Sequence, residues 1–398
     1  MPFDRRTLDA LPLAGKRVLV RVDYNVPLGP GGEVADDRRI AASLPTIRRI
    51  LTAPAAAILC SHLGRPKGGP DPRHSLAGVA RRLQDLLGRL VTFVPDCVGP
   101  AAEAAAAAAR PGDCLLLENL RFHPGEEKND PEFAKGLARL ADLYVDDAFG
   151  AAHRAHASVA AVARLLPSAA GYLLAREVEM LSALLGDPRR PFVIVAGGAK
   201  VSDKVPVLRN LLPRANALLV GGAMACTFLK AQGVPVGNSL VEETAIQAAR
   251  EILKAADESD ARVLLPSDHV CAARLESGVA TSVVTGSVPA DMMALDIGPA
   301  TVGEFQAVLA KAGTVLWNGP LGVFETAPFD EGTKQIARFL AGSKAQVVCG
   351  GGDTAAAVEA AGVAGAMAHV STGGGAALEL LEGKALPGVA ALAAREGA

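Results

Sequence analysis

Short apolar runs alternate with amphipathic stretches along the whole chain. In the first half, five runs are apolar on both faces, as is typical of buried strands, at 17–22, 56–60, 90–94, 114–117 and 143–145. Helical spacing is found between them at 40–51, 75–87 and 131–140. This alternation predicts right-handed βαβ units, and therefore a parallel sheet covered by helices on both faces.

The alternation pauses at 171–186 and then starts again. Leu174, Val178, Leu181 and Leu185 repeat here at a spacing of three to four, which predicts a helix between the two halves. Six further strands are predicted at 192–196, 217–220, 262–265, 293–297, 314–317 and 346–349. A chain of 398 residues also exceeds the size at which a single core usually stops growing.

We therefore expect an α/β protein built from two doubly wound, Rossmann-like parallel-sheet domains that face each other across a hinged cleft. The N-terminal domain is expected at 1–170, with a C-terminal tail at 388–398 that packs back on it. The C-terminal domain is expected at 171–387 and begins with the inter-domain helix at 171–186. Ligands should bind beyond the carboxyl ends of the strands.

Composition narrows the class of protein. A formal net charge of -2 gives no general attraction to nucleic acid or to a membrane surface. Six scattered cysteines without a C-x-x-C pair fit a reduced compartment, and no apolar run suits a signal peptide or a membrane span. We expect a cytoplasmic protein that acts on small molecules.

Polar side chains follow four strands of the first half, where a parallel sheet places them at one edge. They are Arg21, Asp23 and Asn25, then His62 and Arg65, then Arg121, then His153 and Arg154, with Arg38 and Arg39 beside them. Each alone is usually a solvated or structural residue. Together they favour a small, multiply charged anion, because clustered cations are costly without one and Arg binds carboxylate and phosphate with two hydrogen bonds. The motifs GxSxG and HExxH, which are typical of hydrolases, are absent.

The central stretch PFVIVAGGAKVSDK predicts a strand, a tight turn and a helix. Its lysines, Lys200 and Lys204, are four residues apart, which would place both on one helical face beside amides that can bind phosphate. Taken alone, this stretch fits an ordinary βα turn equally well. Further glycine-rich turns at 221–222, 350–354 and 371–376 and the segment WNGPLGVFE favour a nucleotide. Asp353 is a candidate Mg²⁺ ligand and Glu325 a candidate ribose acceptor, whereas Walker A and GxGxxG patterns are absent.

Eight blocks occur in a characteristic order over nearly the whole chain: RVDYNVP, SHLGRP, ENLRFH, DAFG with AHRAH, GGAKVSDK, WNGPLGVFE, GGGDT and STGGGA. In these blocks the chain resembles the 3-phosphoglycerate kinase family. The resemblance implies reversible, Mg²⁺-dependent phosphoryl transfer between 1,3-bisphosphoglycerate and ADP, giving 3-phosphoglycerate and ATP, in glycolysis and gluconeogenesis. It also implies in-line transfer on domain closure without a general base, and a monomer.

The resemblance also implies a role for individual residues. Phosphoglycerate would be bound by Arg21, Asp23, Asn25, Arg39, His62, Arg65, Arg121, His153 and Arg154. The nucleotide would be bound by Gly198, Ala199, Lys200, Lys204, Gly222, Asn318, Gly322, Glu325, Gly351, Gly352, Asp353 and Thr354, with Asp353 as the metal ligand. The implied catalytic residues are Arg39, Lys200, Gly352 and Gly375, and Arg39 matches rather than Arg38 because it directly precedes Ile40.

Several positions depart from the family pattern. They are Asp146 and Ala151 near the AHRAH block, and Ser267, His269, Ala300 and Thr301 in the second half. The second group bears on the packing around the adenine. Two other classes stay open on residues alone: a non-catalytic two-domain anion-binding protein, and a kinase for a different carboxylate. The first leaves Lys200 and Asp353 unexplained, and the second would require a changed basic cluster.

Overall fold

The computed structural model describes residues 3–67 and 69–394. The chain divides into two compact units. Unit 1 comprises Met1–Glu179 together with Ala385–Ala398, and unit 2 comprises Met180–Lys384.

Unit 1 is an alternating α/β unit. Its strands and helices are β1 Arg17–Arg21, α1 Arg38–Thr52, β2 Ala56–Cys60, α2 Ala77–Leu87, β3 Thr92–Val94, α3 Gly99–Ala108, β4 Cys114–Leu117, α4 Pro131–Ala138, β5 Leu143–Asp146, β6 Ser168–Ala170 and the start of α5 Tyr172–Leu185. The six strands form one sheet in the order β3-β4-β2-β1-β5-β6, and all neighbouring pairs are parallel. The carboxyl ends of β1, β2, β4 and β5 therefore lie at one edge.

The core of unit 1 follows from its sequence pattern. Val18, Val20, Ile47 and Leu59 are fully buried between the sheet and its helices, and Asp130 caps α4 by accepting a hydrogen bond from the amide of Phe133 at 2.8 Å. The predicted strands of this half are present, with β3 two residues shorter at its start than expected. Strand β6 was not predicted, because Ser168–Ala170 consists of small residues without a β-branched signal.

Unit 2 contains a second sheet of the same kind. Its elements are β7 Phe192–Ala196, α6 Val205–Leu211, β8 Ala217–Val220, α7 Gly222–Ala231, α8 Ile246–Glu258, β9 Arg262–Leu264, β10 Asp268–Ala272, β11 Ser282–Thr285, β12 Met293–Ile297, α9 Pro299–Leu309, β13 Thr314–Asn318, α10 Glu331–Ala341, β14 Gln346–Gly350, α11 Gly352–Ala360, β15 His369–Val370 and α12 Gly375–Leu381. Six strands form a parallel sheet in the order β15-β14-β13-β7-β8-β9. The direction of winding reverses between β7 and β13, which is where such sheets bind ligands.

Unit 2 also has a small antiparallel sheet in the order β11-β10-β12. The segment 293–297 was expected to join the main parallel sheet, but as β12 it pairs with β10 instead. Its apolar run identifies a strand but does not specify the strand with which it pairs. That partner, β10, lies together with β11 in a stretch of sequence without a clear hydrophobic period.

Helix α5 crosses between the two units. The sequence places the domain boundary at 170/171, whereas the division by contacts falls inside this helix, after Glu179. The first turn of α5 belongs to unit 1 because the amide of Tyr172 donates to Thr46 Oγ1 at 2.9 Å and the amide of Leu173 donates to Asp147 Oδ1 at 2.8 Å.

The C-terminal segment belongs to unit 1. Helix α13, Pro387–Ala391, is anchored by the amide of Gly388, which donates to the carbonyl of Ala152 at 2.8 Å. The amide of Ala393 donates to Ser168 Oγ at 3.1 Å. Of the expected tail at 388–398, residues 395–398 lie outside the described residues. Within the described residues, no helix is long and apolar enough to cross a membrane.

Candidate active site

The carboxyl edge of the unit 1 sheet carries the expected basic cluster. Arg21 ends β1 and is fully buried, His62 follows β2 and is 6% exposed, and Arg121 follows β4 and is also 6% exposed. Arg65 is exposed, while Arg39 and Arg154 are partly exposed. The cluster thus has a buried layer, formed by Arg21, His62 and Arg121, and an accessible layer, formed by Arg39, Arg65 and Arg154.

Arg21 and His62 contact each other directly. Arg21 Nη2 is 3.0 Å from His62 Nδ1, and because a guanidinium only donates, Nδ1 must accept and the ring proton of a neutral imidazole lies on Nε2. Burial holds the pKa of His62 well below its usual range, and the positive charges of Arg21 and Arg121 add to this effect. His62 is therefore a neutral N–H donor near pH 7, whereas the sequence had grouped it with the cations.

Two adjacent arginines differ in their partners. Arg39 Nη1 donates to Asp23 Oδ2 at 2.8 Å, and this carboxylate is buried. Arg38 instead pairs with the carboxylate of Asp36 close to it in sequence. Arg39 is thus connected to the end of β1 through Asp23.

The loop after β2 is held by groups from two other strands. Asn25 Oδ1 accepts a hydrogen bond from the amide of Gly64 at 2.9 Å, and Arg121 Nη1 donates to the carbonyl of the same glycine at 2.6 Å. Arg121 Nε forms an ion pair with Glu127 Oε1 at 3.0 Å, and within the described part of the chain it has no partner with hydrogen-bond geometry. Burial lowers the pKa of Arg121, which nevertheless stays charged at neutral pH.

The histidine-rich block after β5 completes this edge. Arg154 Nε donates to His153 Nε2 at 3.2 Å, and both side chains are partly exposed. Burial lowers the pKa of the neighbouring His156 to about 4, with the charges of Arg121, Arg21 and Arg154 contributing. The positive charge of the cluster thus comes from arginines, while its histidines His62 and His156 are neutral.

In unit 2, backbone hydrogen bonds from glycines connect the turns that follow β7, β8 and β13. The amide of Gly198 donates to the carbonyl of Pro320 at 2.8 Å, and the amide of Gly222 donates to the carbonyl of Leu321 at 2.7 Å. Gly222 has φ +63°, and a Cβ there would lie 2.7 Å from the amide nitrogen of Gly198. These two amides are bonded within the protein and do not face a phosphate, so the glycines shape the turn.

The two lysines of the central stretch do not share a helical face. Helix α6 begins at Val205, so Lys200 lies in the preceding turn and that expectation was wrong. The turn is held by Glu242, whose Oε2 accepts from the amides of Val201 at 2.7 Å and Ser202 at 3.1 Å. Sequence reasoning missed Glu242, because nothing in the local pattern connects positions 41 residues apart.

Lys200 and Lys204 have different surroundings. Lys200 and Ala199 are exposed beyond β7. Lys204 Nζ donates to Asn318 Oδ1 at the end of β13, and burial lowers its pKa against the opposing influence of Asp203 and Asp353. Lys204 is thus fixed in place, whereas Lys200 is accessible to a ligand.

The end of β14 opens directly into α11. Gly351 has φ +90°, and no side chain of the described residues caps the helix that starts at Gly352, so the first-turn amides and the exposed carboxylate of Asp353 lie together. Thr354 is fully buried, and its Oγ1 accepts from the amide of Gly319 at 2.6 Å and donates to the carbonyl of Gly350 at 2.7 Å. Its side chain therefore ties β13 to β14.

The remaining expected nucleotide positions lie beyond the ends of β13 and β15. Glu325 is exposed and Gly322 is buried, with a Cβ at Gly322 overlapping the Asp296 carboxyl. Burial raises the pKa of that carboxyl to about 8. Gly375 begins the short helix α12 after Gly374, which has φ +51°.

Three of the departures in the second half, Ser267, Ala300 and Thr301, lie in one hydrogen-bonded cluster around Asp268. Thr301 Oγ1 accepts hydrogen bonds from the amides of Ser267 at 3.0 Å and Asp268 at 3.1 Å. Asp268 Oδ2 in turn accepts from the amide of Ala300 at 3.0 Å. His269 is 2% exposed, and its Nε2 has no hydrogen-bond partner among the described residues.

Two parallel-sheet α/β units, one with an arginine-rich sheet edge and one with glycine turns, lysines and an aspartate, suit a phosphotransferase that acts on anionic ligands. A family model described as "Phosphoglycerate kinase" matches residues 8–384. The chain belongs to the phosphoglycerate kinase family.

Individual relatives agree over nearly their full length. The chain is 56% identical to the phosphoglycerate kinase of Anaeromyxobacter sp. (strain K), over 97% of this chain and 98% of that protein. The same identity and coverage are found for the phosphoglycerate kinase of Moorella thermoacetica. Among solved structures, phosphoglycerate kinase from Coxiella burnetii matches with a TM-score of 0.88 at 41% identity, covering 97% of this chain and 98% of that one. The Pyrococcus horikoshii OT3 enzyme matches with a TM-score of 0.85 at 32% identity and the same coverage.

Proposed function

We propose that unit 1 binds phosphoglycerate and that unit 2 binds the nucleotide and its metal. As a family member, the chain is a phosphotransferase with a carboxyl group as acceptor, and it interconverts 1,3-bisphosphoglycerate and ADP with 3-phosphoglycerate and ATP. The observation that best supports the assignment of unit 1 is the group of arginines after four neighbouring parallel strands.

The accessible layer of the cluster suits a ligand with one carboxylate and one phosphate. Arg65 is exposed, Arg39 and Arg154 are partly exposed, and a guanidinium can bind an oxyanion through two hydrogen bonds. His62 adds a neutral donor, since its Nδ1 is occupied by Arg21. His153, Asn25 and Asp23 complete the proposed contacts.

On unit 2, the proposed nucleotide residues surround the reversal point of the sheet. Lys204 and Asn318 form a fixed polar pair at the end of β13, and the first turn of α11 offers amides to a phosphate. Exposed Glu325 is the proposed acceptor for ribose hydroxyls. Gly198, Gly222 and Gly322 are proposed to shape the turns that border the nucleotide, because side chains at Gly222 and Gly322 would collide with neighbouring protein atoms and one at Gly198 would be strained.

The chemistry of the donor set fits magnesium. Mg²⁺ is typically held by one or two carboxylates together with substrate phosphates, and Asp353 places one exposed carboxylate beside the helix terminus proposed for the phosphates. Magnesium, when bound, offsets the charge of the phosphate oxygens. The residues Lys200, Gly352 and Gly375 are proposed to stabilise the phosphoryl group through an ammonium charge and through backbone amides.

The reaction needs no general base, because a carboxylate acceptor is already ionised near pH 7. The protein must instead position both ligands and stabilise charge along the in-line path. Since the two ligands have to meet for transfer, we expect closure about the hinge to precede chemistry and to exclude water. A monomer and a cytoplasmic location remain our expectations from sequence.

A coupled assay tests this function. Purified protein is supplied with Mg-ATP and 3-phosphoglycerate, and the acyl phosphate formed is detected through its reduction. We expect turnover that requires both substrates. Binding of both ligands without turnover would support the anion-binding alternative, and turnover only with another carboxylate would support a different kinase.

A further inference from the structure

A buried carboxylate lies behind the basic cluster of unit 1. Glu126 is fully buried, and so are Arg21 and Ser158. No local pattern selects Glu126 or Ser158, because Glu126 follows a 3-10 turn and Ser158 lies 32 residues further on. Tertiary folding brings both to the end of β1.

Hydrogen bonds connect these three residues, each donated toward the carboxylate of Glu126. Arg21 Nε donates to Ser158 Oγ at 2.9 Å, and Ser158 Oγ donates to Glu126 Oε1 at 2.6 Å. The second carboxylate oxygen, Oε2, accepts from the amide of Ser158 at 2.9 Å. On its other side, Arg21 Nη2 donates to His62 Nδ1 at 3.0 Å. Four residues thus form a continuous relay from Glu126 to His62.

The relay is fixed at its centre. The carbonyl of Ser158 accepts from the hydroxyl of Tyr144 at 2.8 Å, and the amide of Ala157 donates to the carbonyl of Glu126 at 2.9 Å. The remaining described contact of the Arg21 guanidinium is donation from Nη1 to the carbonyl of Val22. With every nitrogen of its guanidinium bonded to protein and no exposed surface, Arg21 is not placed to contact a ligand.

We propose that Glu126 is a positioning residue that acts through Ser158 and Arg21 to hold His62 as the Nε2–H tautomer, ready to donate to the phosphoglycerate. This inference rests on the proposed function only for the identity of the ligand. It changes the expected role of Arg21: the residue does not contact the substrate itself but lies behind His62 and holds it in place. A buried Arg needs a compensating anion, and Glu126 supplies it through the hydroxyl of Ser158.

The alternative explanation is a purely structural polar network, and the two make different predictions. A structural network would affect stability but not the tautomer of His62 or the Michaelis constant for one substrate. In a positioning relay, the His62 tautomer and the Michaelis constant for phosphoglycerate both change, because an Arg21 that has lost its Nε partner can rotate away from His62 Nδ1.

The first experiment determines the tautomer of His62 in the full-length protein. Long-range ¹H–¹⁵N correlation spectra, assigned with the His62→Gln variant, should show a neutral ring with its proton on Nε2. A proton on Nδ1 in the unmodified protein would overturn the proposal without any variant. This readout does not depend on turnover, so an inactive enzyme with the expected tautomer would refute the proposed function and leave the relay intact.

The second experiment breaks the relay. Ser158→Ala removes the link, and Glu126→Gln replaces one acceptor by a donor that faces the Ser158 amide. We expect a mixture of His62 tautomers and an increase of about tenfold in KM for 3-phosphoglycerate, with KM for ATP unchanged.

Ser43→Ala is the matched control, because it also removes a buried hydroxyl from unit 1, one that contacts Tyr24 Oη at 2.8 Å. It should lower stability and leave both the tautomer and the Michaelis constants unchanged. If Ser158→Ala behaves like this control, the network is structural only and the proposal is wrong.

Discussion

Asp147 Oδ1 accepts a hydrogen bond from the amide of Leu173 at 2.8 Å and thereby caps the helix that crosses between the two units. The carboxyl is fully buried, and Oδ1 also accepts from the amide of Leu174 at 3.3 Å. Burial raises its pKa from 3.8 to about 7, although the hydrogen bonds oppose this rise. An ionisable group therefore stands at the start of α5.

This pKa predicts how stability depends on pH. Because the pKa is higher in the folded state, the stabilising contribution is complete below about pH 4 and is lost as the pH rises through about 7. Asp147→Asn keeps an acceptor for the Leu173 amide but does not titrate. We expect the stability of the unmodified protein to fall relative to this variant by on the order of 4 kcal/mol as the pH rises across this range, at about 1.4 kcal/mol for each pKa unit of the shift, measured by urea unfolding.

Asp142→Asn is the control, because Asp142 stabilises the protein at high pH, whereas Asp147 does so at low pH. Hydrogen bonds from Arg17 hold the pKa of Asp142 below its usual range, so its contribution is present above the unfolded-state pKa and is lost as the pH falls. A constant difference between Asp147→Asn and the unmodified protein across the same pH range would contradict the assignment of Asp147.

Arg39 and Arg38 form a natural pair for testing the phosphoglycerate site. Arg39 is bonded to buried Asp23, whereas Arg38 is paired with Asp36 at the surface. We expect Arg39→Ala to raise KM for 3-phosphoglycerate at least about tenfold, because a charged hydrogen bond to the ligand is lost. Arg38→Ala should change it by less than about twofold, because exposed ion pairs contribute little. Equal effects of the two substitutions on KM would contradict the assignment.

The sequence predicts the parts of this fold that depend on local apolar pattern. Runs such as Phe192–Ala196 and Ala217–Val220 have the bounds expected, since buried parallel strands need continuous apolar residues. Strand β6 and the pair β10–β11 were not predicted, because their placement depends on neighbours such as β5 and β12. The local apolar pattern therefore predicted where strands occur better than it predicted which strands pair with each other.

The same limit applies to the site. The strand-end arginines were predictable because parallel strands bring their carboxyl ends together. Glu126, Ser158 and Glu242 were not, since their hydrogen bonds span long sequence separations, 32 residues between Glu126 and Ser158 and 41 between Glu242 and Val201. Burial also changed the chemistry of His62 from a cation to a neutral donor, which no spacing rule gives.

Gly222 and Gly233 separate backbone strain from close packing. Both have positive φ, at +63° and +83°, but a Cβ at Gly222 would lie 2.7 Å from the Gly198 backbone, whereas one at Gly233 would have no atom of the described residues within 4 Å. We expect Gly233→Ala to cost about 1 kcal/mol of unfolding free energy and to leave ADP binding unchanged. Gly222→Ala should cost more and should weaken ADP binding in calorimetry. Comparable losses in both variants would show that packing of the turn is unimportant.

Asp353 tests the proposed metal ligand. Asp353→Asn keeps the size of the side chain but removes its negative charge, so the Mg²⁺ concentration needed for half-maximal activity should rise about tenfold or more. Glu359→Gln, on the same helix α11, is a control for general loss of charge. An unchanged Mg²⁺ requirement in Asp353→Asn would remove this residue from the metal site.

Lys200 and Lys204 differ in accessibility, and we expect them to differ in function. Lys204 is anchored to Asn318, so Lys204→Ala should weaken nucleotide binding and raise KM for ATP. Lys200 is exposed and lies in a turn that Glu242 fixes, so Lys200→Ala should lower kcat by about 10²- to 10³-fold while ADP affinity by calorimetry changes little. Glu242→Gln should have a smaller effect in the same direction, because it loosens the turn but keeps the charge. Normal turnover in Lys200→Ala would exclude this ammonium group from charge stabilisation during transfer.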